Sequence, residues 1–237
     1  TMKYATYTAV AAILMTLIAL NANPAQAHIK DAIVFTQTLD GSSGCSGVII
    51  DKRGFLITAK HCGGQARINV MLSNGRLVKA DLVYVGPNDE DVLGYMLPTG
   101  TYPFAPVAAL PPKQGEVVQS WGYPASNEHD YVRKLMYGKG TIIGGAIYAN
   151  SRMNLVYLVT YGGWSGSGLF NMKGEVIGSL SAGNNTISLF ISLRSIKVAY
   201  RVMDAYYKAD QEFPYFPPLV PTSYESESAI IEENQLI

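Results

Sequence analysis

Apolar residues recur in short runs along most of this chain, and turn-forming residues separate them. Ala32 to Thr38, Gly47 to Asp51, Phe55-Leu56-Ile57, Ala66 to Leu72, Leu77 to Val85 and Val92 to Leu97 each read as a β-strand. Asp51-Lys52-Arg53-Gly54 and Ser73-Asn74-Gly75 carry hairpin chemistry between neighbouring runs. About six strands up to Leu97 suffice to close one small antiparallel barrel. Pro98 to Lys113 is proline-rich and breaks regular structure, so it reads as a crossing between two barrels.

A second series follows: Glu116 to Gly122, Tyr131 to Tyr137, Gly140 to Ile147, Leu155 to Thr160, Gly168 to Phe170, Val176 to Ser181 and Ile187 to Ser192. Only Ser192 to Ala209 carries a helical stripe, with Ile196, Ala199, Tyr200, Met203, Tyr206 and Tyr207 at spacings of three and four. Ser192 or Ser195 supplies its cap. The expectation is an all-β chain of two antiparallel six-stranded barrels, over 28–106 and 107–193, with a helix over 194–209. Residues 210–237 mix prolines, aromatics and acids without a periodic core face and read as an extended or disordered tail.

Composition changes this picture little. The chain has 237 residues, 48% of them hydrophobic and 15% charged, enough for a sizeable core. Its 18 basic and 18 acidic residues cancel, and no basic patch marks a nucleic-acid partner. The first segment stands apart. Met2-Lys3, the apolar run from Val10 to Leu20 and Ala25-Gln26-Ala27 form the pattern of a cleaved signal peptide over 1–27. A secreted or periplasmic mature chain is expected, with a retained membrane anchor as the alternative. The apolar run is short for a span, which needs about 20 residues. Behind an export signal, the two cysteines, Cys45 and Cys62, read as one disulfide.

Candidate chemistry centres on Gly162-Gly163-Trp164-Ser165-Gly166-Ser167-Gly168. Glycines around a serine let the backbone turn, so the N–H groups of Gly163 and Ser165 can converge on a developing oxyanion. A serine hydroxyl needs a base oriented by a third group. His61 ends the apolar run Phe55 to Ala59, and Asp91 stands before the run Val92 to Leu97, with Asp89 and Asp81 as competitors. Ser167 is the rival hydroxyl. His28 and His129 read as solvated residues, and no spacing of His, Cys and Asp suggests a metal site. No cofactor is expected.

The order His61, Asp91, Ser165, the string Thr58-Ala59-Lys60-His61-Cys62 and the string Gly163-Trp164-Ser165-Gly166-Ser167 resemble the trypsin/chymotrypsin-like serine proteases. The Gly-x-Ser-Gly-Ser ending looks most like the bacterial branch that holds glutamyl endopeptidases and periplasmic quality-control proteases. The resemblance spans roughly Ile33 to Leu193 and implies a serine endopeptidase acting on protein or peptide. Ser165 would attack, His61 would carry the proton and Asp91 would orient His61.

The same resemblance puts a Cys45–Cys62 bridge beside His61 and the helix on the second barrel. Thr160, Leu180, Ser181, Ala182 and Gly183 would face the substrate, the stretch Ser181 to Gly183 as an added strand. Val159 stands where a trypsin has its aspartate, and Leu180 where glutamyl-specific relatives have a histidine, so an uncharged residue before the cut is expected. Trp164 replaces the aspartate that zymogen-type relatives pair with a newly cut amino terminus. Activity independent of such a cut is therefore expected. The alternatives from the residues are an inactive binding module on the same scaffold and a membrane-tethered processing protease.

Overall fold

The computed structural model describes residues 29–87, 90–124, 134–148, 151–184 and 186–212. The expected signal peptide, Asp89, His28, His129 and the tail beyond residue 212 lie outside the described residues. Two closed antiparallel barrels account for nearly all of the described strands.

The first barrel comprises β1 (Ile33–Gln37), β2 (Gly44–Asp51), β3 (Phe55–Thr58), β4 (Arg67–Met71), β5 (Leu77–Val85) and β6 (Leu93–Met96). The second comprises β7 (Val117–Gly122), β8 (Met136–Tyr148), β9 (Ser151–Tyr157), β10 (Gly168–Phe170), β11 (Val176–Gly183) and β12 (Ile187–Ser192). Around the first barrel the order is β1-β2-β3-β6-β5-β4. The second repeats it six strands later, as β7-β8-β9-β12-β11-β10. The two halves share a topology that their residues do not display.

Strand periodicity explains why several strands read as unbroken apolar runs. Successive side chains alternate between faces. In β3, Leu56 enters the interior of the first barrel beside Val34, Ile49 and Leu82. Phe55 and Ile57 point the other way, into a cluster shared with Ile33, Phe35, Trp121, Phe170 and Met203. Both faces are buried, because the barrels pack on each other and on the helix. The second interior is built from Val118, Ile142, Val156, Leu169, Ile177, Phe190 and Trp164.

Several boundaries depart from expectation, among them that of β2, which starts at Gly44 rather than Gly47. The segments expected at Tyr131 to Tyr137 and Gly140 to Ile147 are, within the described residues, one strand, β8. Gly138 and Gly140 do not break it. A Cβ at Gly138 would meet Leu158 Cδ1 at 2.8 Å, and one at Gly140 would meet the Tyr157 carbonyl at 2.3 Å. These glycines permit a close approach between neighbouring chains rather than a turn. The strand expected at Leu155 to Thr160 runs instead over Ser151–Tyr157, because Met153 to Tyr157 pair with β12 despite their polar start.

The helix α1 covers Leu193–Glu212, three residues past its expected end. Nothing in Asp210-Gln211-Glu212 breaks a helix, and the first breaker is Pro214. The helix also packs on both barrels, not on the second alone, through contacts with β3, β5 and β6 as well as β11 and β12. Arg53, from the β2–β3 turn, fastens it. Its guanidinium bonds Asp51, Asp204 and the Tyr200 hydroxyl, and lies 4.3 Å above the Phe55 ring. Ser192 stands just before the helix, where its hydroxyl meets the Ser195 hydroxyl at 3.3 Å. Among the described residues no helix is long and apolar enough to cross a membrane.

Candidate active site

Three chain segments meet at the seam between the barrels. His61 lies in a short 3-10 turn, Lys60–Cys62, that follows β3. Behind it, Cys62 is bonded to Cys45 of β2. Asp91 sits two residues before β6, and Ser165 lies in the loop between β9 and β10.

The side chains form one relay. The Ser165 hydroxyl is 2.7 Å from His61 Nε2, and His61 Nδ1 is 2.6 Å from Asp91 Oδ2. The other carboxylate oxygen, Oδ1, accepts the His61 backbone N–H at 2.8 Å. An ionised carboxylate only accepts, so the ring proton lies on Nδ1 and the Nε2 lone pair faces the serine hydroxyl. The hydrogen bond to Asp91 raises the His61 pKa above its ordinary 6.5, against the opposing effect of burial. Burial pushes Asp91 upward, but hydrogen bonds from His61 and Ser181 outweigh it and hold the carboxyl below 3.8.

The serine loop is shaped by its glycines. The Tyr161 carbonyl accepts the Trp164 amide at 3.0 Å, and Gly163 between them has φ 88°. That is a β-turn with a positive φ at its third residue, a place for glycine. Gly166, at φ 83°, is held against the first barrel, where a Cβ would fall 2.3 Å from the Ser46 carbonyl. Neither the Gly163 nor the Ser165 amide meets a backbone acceptor among the described residues.

A cavity of about 470 Å³ opens beside Ser165, lined by Thr160, Tyr161, Gly162, Leu180, Ala182, Gly183 and Asn184. Among the described residues no acidic, basic or histidine side chain lines it. Thr160, Leu180, Ala182 and Gly183, four of the residues expected to face the substrate, are among its lining residues. Ser181 is not among the lining residues, and its hydroxyl donates to Asp91 Oδ2 at 2.6 Å.

The competitors fall elsewhere. Ser167 is fully buried beside Ser120, and Asp81 pairs with Arg67. Val159 is solvent-exposed and does not line the cavity. Among the described residues no group of His, Cys, Asp and Glu is arranged to hold a metal ion.

Sequence reasoning missed Ser46. This fully buried residue of β2 donates its backbone N–H to the Ser165 carbonyl and its hydroxyl to the Gly163 carbonyl, both at 2.9 Å. Its position next to Cys45, in a stretch of small residues before an apolar run, was the available signal.

Two closed six-stranded barrels with a terminal helix, meeting at a Ser–His–Asp relay, define a chymotrypsin-like architecture. The trypsin-like peptidase domain matches residues 45–178, more than half of the chain, and the protein belongs to that family. Serine endoprotease DegS of Escherichia coli K12 is 31% identical over 138 residues, covering 56% of this chain and 38% of DegS. The chain thus matches well under half the length of this relative. The fold is also that of the serine endoprotease from Yersinia pestis, at TM-score 0.65 and 24% identity, covering 78% of this chain and 66% of that one. Rv3671c from M. tuberculosis H37Rv, in an inactive form, gives TM-score 0.62 at 19% identity, covering 79% and 93%.

Proposed function

We propose that the protein is an exported serine endopeptidase that cuts peptide bonds through an acyl-enzyme. The observation that carries this reading is the relay of two short hydrogen bonds joining Ser165, His61 and Asp91 across the seam. In the proposed cycle the Ser165 oxygen attacks the scissile carbonyl while His61 Nε2 takes its proton. Asp91 keeps the ring in the required tautomer and stabilises the imidazolium that forms. The N–H groups of Gly163 and Ser165 receive the charge developing on the carbonyl oxygen. His61 then protonates the leaving amine, and water releases the acyl group by the same route in reverse.

The cavity supports an uncharged side chain before the cut. Burying a carboxylate or an ammonium without a partner is costly, and among the described residues no ionised group lines the walls to offset that cost. The expected likeness to the branch that holds glutamyl endopeptidases therefore carries no preference for glutamate. The Cys45–Cys62 bridge supports export, because disulfides persist in oxidising compartments.

A library of internally quenched peptides, varied at the residue before the cut, tests the reading. Cleavage that disappears in Ser165→Ala is expected, with neutral residues preferred. Equal cleavage by Ser165→Ala would overturn the assignment.

A further inference from the structure

The amide of Gly163 belongs to a turn whose two central residues, Gly162 and Gly163, have no side chains to hold them in place. Its aim must be set from outside. The peptide joining Gly163 to Trp164 is gripped at both ends: its N–H by the Tyr161 carbonyl at 3.0 Å, its carbonyl by the Ser46 hydroxyl at 2.9 Å.

The Ser46 hydroxyl has a single orientation. It accepts the Tyr123 amide at 2.8 Å, and its one hydrogen goes to the Gly163 carbonyl, which has only lone pairs to offer. The Ser46 amide meanwhile donates to the Ser165 carbonyl at 2.9 Å. One residue of the first barrel thus holds the backbone at both Gly163 and Ser165, the two residues whose amides are the proposed oxyanion donors. Its neighbour Cys45 is bonded to Cys62, adjacent to His61, so Cys45-Ser46 links the base to the turn.

We propose that Ser46 is a positioning residue for oxyanion stabilisation, acting through Gly163. The inference rests on the reading of the Gly163 and Ser165 amides as the oxyanion donors. Losing a whole donor costs about 10²–10³ in rate, and a displaced donor costs less. Ser46→Ala is therefore expected to lower kcat about 10- to 100-fold and leave KM within about twofold, because the grip matters most when charge develops.

Peptide aldehydes separate this role from simple packing. The aldehyde forms a hemiacetal with the nucleophile, and its oxygen occupies the oxyanion position. A carboxamide of the same sequence forms no such bond. Ser46→Ala should weaken the aldehyde in parallel with kcat and leave carboxamide binding and the pH midpoint of activity unchanged. Thermal melting is recorded on the same samples. If Ser46→Ala shows no cooperative melt, Ser46→Gly removes the same hydroxyl and takes its place. Unchanged kcat and aldehyde affinity, or parallel loss of aldehyde and carboxamide binding, overturns the Ser46 assignment. A wild-type chain that neither cleaves peptide nor binds the aldehyde overturns the underlying reading instead.

Discussion

Trp164 precedes the nucleophile and is completely buried in the interior of the second barrel. Its indole lies where a Cβ on Gly122 would fall 2.6 Å from its Cγ, and the Tyr161 ring packs edge-on at 5.7 Å. Trp164→Ala deletes this anchor. Large-to-small core substitutions of an aromatic cost about 3–5 kcal/mol. At roughly 2–4 °C per kcal/mol for a chain of this size, the melting midpoint should drop by about 6–20 °C.

Trp164→Phe should behave differently. It keeps a buried ring and removes an indole N–H that has no partner among the described residues. Its net cost is expected to stay below about 1.5 kcal/mol. Because the backbone of Trp164 closes the turn holding Gly163, Trp164→Ala should also lower kcat more than it raises KM at a temperature where the variant remains folded. Calorimetry and peptide hydrolysis measured together decide the matter. A melting midpoint within about 1 °C of wild type would refute the packing argument. Destabilisation with kcat unchanged would leave Trp164 as core filler with no hold on the turn. A tryptophan cannot form an ion pair with a newly cut amino terminus, so activity should be the same with or without such a cut.

The remaining predictions concern the base, its carboxylate partner and the bridge. His61 acts as a base only when neutral, so activity should fall as pH drops through its pKa, with a midpoint above 6.5 because Asp91 raises it. Asp91→Asn should lower that midpoint and cut kcat roughly 10⁴-fold, the loss known for this exchange in a Ser–His–Asp triad. A pH–rate profile flat down to about pH 4 would contradict the assignment. Stability runs with the opposite sign for His61. Its contribution is complete below 6.5 and is lost as pH rises through the folded value, whereas that of Asp91 is present above 3.8 and lost as pH falls through its folded value. The Cys45–Cys62 bridge spans a sequence separation of 17 and should contribute about 3 kcal/mol by restricting the unfolded chain. The double alanine variant should therefore unfold at lower urea concentration, and an unchanged midpoint would count against that figure.

The barrels were legible because apolar runs and turn residues follow strand geometry, and the three members of the relay because each sits at the end of an apolar strand or in a glycine turn. What stayed hidden depends on contacts distant in sequence. Gly138-Lys139 fell between two expected strands because the approach of Leu158, which requires glycine at 138, comes from a segment distant in sequence. The hydrogen bond from the Ser181 hydroxyl to Asp91 was not readable, because the two residues are brought together only when the two barrels meet. Ser46 gave only the signal of its place beside Cys45, its partners Tyr123, Gly163 and Ser165 all coming from the second half of the chain.

The central claim is that Ser165 carries an activated hydroxyl. Fluorophosphonate probes react with such a hydroxyl and spare ordinary serines, and peptide mass spectrometry locates the adduct. One adduct on Ser165 is predicted, absent from Ser165→Ala and strongly slowed in His61→Ala. No adduct on the folded wild-type protein, or labelling that survives Ser165→Ala, would contradict the account.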